Sequence, residues 1–170
     1  MKRILEDREK RFFKVLSLYE KYSFPILVGK INYPGNNKNT LEAVSAFNVL
    51  YSLLIEQFRE YTIHNEVDDG FDGKSVLMVL NLDKMKIKKM AVEIEETHSL
   101  GRIFDIDVYE GEKSVSRKDL GFKERRCIVC GEDARVCARE LRHTVDEVLS
   151  FINSRIRRYI AKYESINDMV

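Results

Sequence analysis

No apolar stretch in this sequence approaches the ~20 residues that a membrane-spanning helix needs. The longest, around Phe24–Val28 and Val76–Leu80, fall far short. Charges also break the N-terminal segment MKRILEDREKRFF before a secretion-signal core of seven or more apolar residues can form. A cytoplasmic protein with no membrane partner is expected. Cysteine is scarce: Cys127, Cys130 and Cys137 are an odd set crowded into one stretch, which excludes a secretory disulfide framework and leaves reduced thiols or a metal site. Neither sign of charge is in excess, with 29 basic and 28 acidic residues and a net charge of +1. Coating nucleic acid takes a large surplus of Lys and Arg, so no nucleic-acid partner is expected. Repeats and low-complexity tracts are absent, and the only prolines, Pro25 and Pro34, mark element boundaries.

What is present is ordinary for a folded chain: 170 residues, 44% hydrophobic and 34% charged. That length suits one domain, residues 1–170, burying roughly 70% of its unfolded surface. Apolar residues at helical spacing predict a helix from Lys2 to about Tyr22, and a strand follows over Ile26–Tyr33. A second helix is expected from an Asn39 or Thr40 cap to about Thr62. Asp68–Gly73 reads as a loop, Val76–Leu82 as a buried strand and Lys84–Lys89 as a basic connection. Val92 and Ile94 alternate with Glu93 and Glu95, and Phe104, Ile106 and Val108 with Asp105 and Asp107. Two strands of a hairpin are expected there. Thr144-x-x-Glu147 has capping-box spacing and opens a long C-terminal helix. These elements predict an α+β domain with a central mixed or antiparallel sheet flanked by N- and C-terminal helices.

Chemistry concentrates in Gly101-Arg102-Ile103-Phe104-Asp105-Ile106-Asp107-Val108. Residues two apart on a strand project to the same face about 6.6 Å apart, so Asp105 and Asp107 present paired carboxylates while their neighbours enter the core. Such a pair can hold Mg²⁺, the usual apparatus of phosphoryl and nucleotidyl transfer. A solvated strand face is the plain alternative, although aspartate is depleted in strands. Glu93 or Glu95 would be a third carboxylate on the neighbouring strand. Arg102, Arg117, Arg125 and Arg139 stand close by in sequence, and the guanidinium fork suits phosphate. His98 could exchange protons at neutral pH or simply order its loop.

Cys127-x-x-Cys130, Cys137 and His143 could be written as a zinc site. However, a separation of six positions would put Cys137 and His143 on different faces of one continuous helix. On that ground small buried thiols are preferred, and no stoichiometric zinc is expected.

Several of these segments recur in a known order. Arg8-Glu9-Lys10-Arg11, Pro34-Gly35-x-x-Lys38, His98-x-x-Gly101-Arg102-Ile103-Phe104-Asp105-Ile106-Asp107-Val108, Ser116-Arg117-Lys118-Asp119, and Arg125-x-Cys127-x-x-Cys130 with Cys137, Arg139 and His143 span nearly the whole chain. In that arrangement the sequence resembles the holo-citrate-lyase synthase family, the apo-citrate lyase phosphoribosyl-dephospho-CoA transferases. Ser99 and Asn36 stand at loop positions where the family often has proline.

The resemblance implies a cytoplasmic enzyme that attaches a prosthetic group to the citrate lyase acyl carrier protein subunit. The donor would be 2'-(5''-triphosphoribosyl)-3'-dephospho-CoA, the acceptor a serine hydroxyl and the leaving group pyrophosphate. Asp105, Asp107, Arg102 and His98 would be catalytic, with Asp105, Asp107 and Glu95 as Mg²⁺ ligands. Arg117, Arg125, Arg139 and Lys38 would bind substrate. A nucleotidyltransferase-like fold is expected by analogy. The remaining alternatives are a related carrier-protein transferase of the malonate decarboxylase type and a non-catalytic zinc-binding adaptor.

Overall fold

In a computed structural model, which describes residues 2–167, helix α1 spans Lys2–Tyr22 and strand β1 spans Ile26–Ile31. The break between them falls where Ser23 takes a left-handed φ of 56° and Pro25 follows. Thr40 caps α2 (Leu41–Gln57) by accepting from the Ala43 N–H at 3.3 Å. Strands β2 (Thr62–Asp68) and β3 (Ser75–Leu80) come next, then α3 (Lys84–Thr97), β4 (Phe104–Glu110) and the short β5 (Lys113–Ser114). A six-residue α4 (Ala134–Arg139) precedes α5 (Val145–Asn167). Thr144 and Glu147 close the predicted capping box at the start of α5.

The architecture is single-domain α+β. Every pairing in the five-stranded sheet is antiparallel, in the order β2-β3-β1-β4-β5. Helices α2, α3 and α5 cover one face, where Phe47, Leu50, Leu54, Ile87 and Ile152 meet Leu27, Met78 and Phe104. On the other face Val15 and Leu18 of α1 meet Ile26, Val28, Leu77 and Val79. β3 is therefore covered on both sides, which explains its continuous apolar run. α1 meets β4 at Tyr109, where Phe12 packs edge-on against its ring, and Asp105 and Asp107 lie further along the same side of that strand. Asp72 ties α1 to the loop after β2 by accepting from Arg8 at 3.0 Å and Arg11 at 2.6 Å. Burial pushes the Asp72 carboxyl up, but the two guanidiniums outweigh it and hold the group below its ordinary value. No helix among the described residues is long and apolar enough to cross a membrane.

Two stretches differ from expectation. Val92–Glu95 is helical, so the predicted hairpin does not exist and the Lys84–Lys89 connection is the first half of α3. Asp83 caps that helix through the Met85 and Lys86 N–H groups. Its buried face, Ile87, Lys88, Ala91, Val92 and Glu95, has helical spacing but includes two charges that a sequence pattern assigns to solvent. The second helix, expected to reach Thr62, stops at Gln57 and gives way to β2. β2 inverts the usual alternation: Thr62, His64, Glu66 and Asp68 are half-buried while Ile63 and Val67 are exposed. Its inward polar face is used by α1, since Lys14 pairs with Glu66 and Asp68 and Tyr22 stacks on His64.

Candidate active site

β4 is paired with β1 along one edge, but β5 reaches only Tyr109 and Glu110 on the other. Backbone groups of Phe104 and Ile106 therefore face outward with no strand to meet them, and buried charges take the place of one. The Lys88 ammonium donates to the Ile106 carbonyl at 2.7 Å, and Glu95 Oε1 accepts from the Ile106 N–H at 3.1 Å. Arg125 donates to the Phe104 carbonyl. This is why α3 buries a lysine and a glutamate. Gly101 lets the chain turn tightly from α3 into β4, because a Cβ there would lie 2.4 Å from the Glu95 carbonyl oxygen and 2.6 Å from that of Ile94. Gly101→Ala is expected to cost roughly 2 kcal/mol through overpacking. For a chain of this size that lowers the melting temperature by about 4–8 °C, measurable by circular dichroism.

Asp105 and Asp107 project together from β4, with Phe104, Ile106 and Val108 buried between them, as the alternation predicts. They line a cavity of about 490 Å³ with Lys88, Arg117, Arg125 and Arg135. Lys30, opposite Asp105 on β1, reaches its Oδ2 at 2.5 Å, and Arg125 reaches its Oδ1 at 3.3 Å. Burial works to raise the Asp105 pKa, but the positive charges of Lys30, Arg125 and Lys88 outweigh it and lower the pKa. Asp107 has no hydrogen bond or ion pair among the described residues. Burial, and then the charge of Asp105, push its carboxyl above the ordinary range.

Arginine chemistry divides into two kinds. Arg117 is held by Glu95 at 3.0 Å and Glu96 at 3.1 Å, and Arg125 lies 3.4 Å from Glu95 Oε1. Arg102, in contrast, makes no hydrogen bond or ion pair among the described residues. Burial, followed by the Arg125 and Arg117 charges, presses against its positive charge and lowers its pKa. It lines a second cavity of about 220 Å³ that shares Arg125, Ala134 and Ala138 with the first. A half-buried guanidinium crowded by other guanidiniums is short of an anion, and phosphate oxygens fit its fork.

Other predicted residues are not brought into this cavity. His98 caps α3 and stacks on Phe104, whose side chain leaves β4 on the face opposite Asp105. Its Nδ1 accepts from the Leu100 N–H at 3.1 Å and its Nε2 lies 3.2 Å from the Tyr159 hydroxyl. Burial lowers its pKa, and its hydrogen bonds order the turn. The Lys38 ammonium donates to the Tyr33 carbonyl and lines neither cavity. Arg139 is exposed at the end of α4 and also lies outside both. Glu93 and Glu95 sit on α3, not on a neighbouring strand. Glu95 has both oxygens engaged, Oε1 by Ile106 and Oε2 by Arg117, so it positions arginines instead of offering a free oxygen to a metal. Lys30 and Lys88 belong to the site and were not singled out from the sequence. A lysine inside the otherwise apolar β1 is the one signal that points to the first.

As a donor set for Mg²⁺, Asp105 and Asp107 fit. They are two hard carboxylates on one face, one of them unpartnered, opening on a cavity wide enough for phosphate oxygens to complete the shell.

The cysteines require a correction. Cys127, Cys130, Cys137 and His143 converge so that their ligand atoms all lie within 4.8 Å of one another, a cluster able to hold a metal ion. The spacing disfavours zinc only where one helix runs through Cys137 and His143. Instead α4 ends at Arg139, and Leu141 takes a left-handed φ of 50° that turns the chain back. The expectation of no zinc therefore loses its basis.

Comparison with known proteins gives a consistent result. A family model described as apo-citrate lyase phosphoribosyl-dephospho-CoA transferase matches residues 1–159. The protein CitXG of Leuconostoc mesenteroides subsp. cremoris is 32% identical over 166 residues, which cover 92% of this chain and 34% of the relative. CitXG of Haemophilus influenzae is 30% identical over 155 residues, covering 89% and 33%. A Streptococcus pyogenes serotype M1 protein named as a probable apo-citrate lyase phosphoribosyl-dephospho-CoA transferase is 26% identical over 168 residues, covering 94% and 86%. This chain thus spans about a third of each CitXG protein and most of the streptococcal relative.

Proposed function

The chain belongs to the apo-citrate lyase phosphoribosyl-dephospho-CoA transferase family, and from that premise we propose that it loads the prosthetic group of citrate lyase. The group is 2'-(5''-phosphoribosyl)-3'-dephospho-CoA, the donor its 5''-triphosphate form, and the acceptor a serine of the acyl carrier protein subunit. In the reaction the serine oxygen attacks the α-phosphorus, a phosphodiester forms, and the bond to pyrophosphate breaks. This makes the chemistry a nucleotidyl-type transfer. The observation that carries the reading is the family match over residues 1–159.

The cavity supplies groups suited to that chemistry. Asp105 and Asp107 would hold Mg²⁺. When bound, the ion would neutralise phosphate charge and lower the pKa of the attacking hydroxyl. Lys30 and Arg125 fix the Asp105 carboxylate, and Glu95 fixes Arg117 and Arg125 along the same edge. Arg102, in the adjoining cavity that shares Arg125 with this one, would take the departing pyrophosphate, where charge accumulates as the bond breaks.

Incubating the chain with apo carrier protein, the triphosphoribosyl donor and Mg²⁺ is expected to raise the carrier's mass by the phosphoribosyl-dephospho-CoA group and release pyrophosphate. A parallel reaction with a malonate decarboxylase carrier protein tests the related transferase, and preferential loading there would reassign the acceptor. An unchanged carrier mass, with folded protein and authentic donor, would reject the reading.

A further inference from the structure

We propose that Cys127, Cys130, Cys137 and His143 bind one Zn²⁺ in a closed tetrahedral site that knots residues 127–143 and thereby holds Arg125 against β4. The assignment concerns metal content and local order and does not depend on the transfer reaction.

Geometry carries it first. Thiolates and an imidazole around a tetrahedral zinc stand about 3.5–3.8 Å from one another. The four candidate atoms already lie within 4.8 Å, and Cys130 Sγ is 3.4 Å from Cys137 Sγ. Closing the widest separations by about 1 Å, and easing the Cys130–Cys137 sulfurs slightly apart, completes the set around an ion. A second observation is independent of the sulfurs: His143 Nε2 is sealed from solvent and has no hydrogen-bond partner. A buried imidazole nitrogen without a hydrogen-bond partner, on a histidine that converges with three thiols, fits a lone pair directed at a metal.

The backbone is built for the same purpose. Between Cys127 and Cys130 the chain makes a tight turn, closed by the Gly131 N–H on the Cys127 carbonyl at 3.0 Å, with Gly131 at φ 77°. Cys137 comes from α4 and His143 from the reversal at Leu141, so the four ligands enter from three local segments.

Soft thiolates with one imidazole select zinc over the hard Mg²⁺ suited to Asp105 and Asp107. Four protein ligands leave no open position, which marks a structural site. A Cys130–Cys137 disulfide is the competing use of the short sulfur contact, but it would leave Cys127 and His143 Nε2 unexplained. The need for a staple is visible in the fold, because between β5 and α5 the only regular elements are a 3-10 turn at Lys118–Leu120 and the six-residue α4. Arg125 stands at the base of this knot: the Ala134 N–H donates to the Arg125 carbonyl at 3.0 Å, and Arg126 bridges to Asp133.

The test measures metal and local order on the intact chain. Protein purified without added chelator is expected to carry close to one zinc per chain by mass spectrometry of the metal. Chelator-stripped protein titrated with Co²⁺ is expected to develop the intense visible bands of a tetrahedral thiolate site and saturate at one equivalent. Zinc removal is expected to speed amide hydrogen exchange across residues 125–143 on the order of tenfold or more, reversibly, while the central strands are unchanged. Cys137→Ser and His143→Ala are expected to abolish stoichiometric binding. Should either variant fail to fold, the Co²⁺ titration of the unsubstituted chain decides alone. Substoichiometric zinc with no cobalt–thiolate bands overturns the proposal. So does a non-reduced mass lower by two hydrogens, which would reveal the disulfide, or zinc retained after Cys130 and Cys137 are both replaced by serine.

Discussion

Asp107→Asn is expected to fold, melt no lower than the parent, and lose on the order of a thousandfold in turnover, about 4 kcal/mol of transition-state stabilisation. The substitution keeps the shape of the side chain and removes its charge. No hydrogen bond or ion pair among the described residues depends on that charge. Burial and the neighbouring Asp105 both oppose it, so losing it relieves repulsion in the fold. A carboxylate that costs the native state and has no structural partner is a candidate ligand-binding group. Asp105→Asn is expected to lose a similar factor in turnover but also to melt lower, because it strips Lys30 and Arg125 of their common partner. Carrier-loading rates and thermal melts on the two variants check both halves. Near-parental turnover in both would remove the carboxylates from the site, and a large drop in melting temperature for Asp107→Asn would make its role structural.

Arg102→Lys is expected to melt like the parent and lose on the order of a hundredfold in turnover, the size typical of removing one transition-state donor. An ammonium retains the charge but cannot make the two parallel bonds of a guanidinium to a phosphate. A structural alternative, an ion pair from Arg102 to Glu95 or Glu96, is not formed among the described residues, where Arg117 pairs with both carboxylates. Arg117→Lys is the contrasting variant, expected to melt lower because it loosens Glu95, Glu96 and the Lys123 carbonyl together. Parental turnover in Arg102→Lys, with a fall in melting temperature instead, would assign Arg102 to the fold.

The parts of this protein that were legible from its sequence are those whose physics is local. Helical spacing and a proline placed α1, the Thr40 hydroxyl opened α2, the Thr144 and Glu147 box opened α5, and strict alternation put Asp105 and Asp107 on one side of β4. α3 and β2 escaped reading for one cause: a charged or polar residue faces inward for a partner distant in the chain. Lys88 and Glu95 are buried because the open edge of β4 needs a donor and an acceptor, so α3 carries a pattern that imitates a strand. β2 turns its polar side inward because Lys14 and Tyr22 of α1 wait there.

At the functional level the same division holds. Residue order along the chain determined the family, the paired carboxylates and the supply of arginines, because each depends on identity and spacing that no packing can alter. Only the tertiary structure decided that, among the described residues, Arg117 and Arg125 pair with carboxylates and Arg102 does not, since that depends on where Glu95 and Glu96 end up after α3 docks on β4. Tertiary structure also brought His143 back to the cysteines. A left-handed residue at Leu141 reverses the chain between ligands six positions apart, a turn that spacing along a straight helix cannot anticipate.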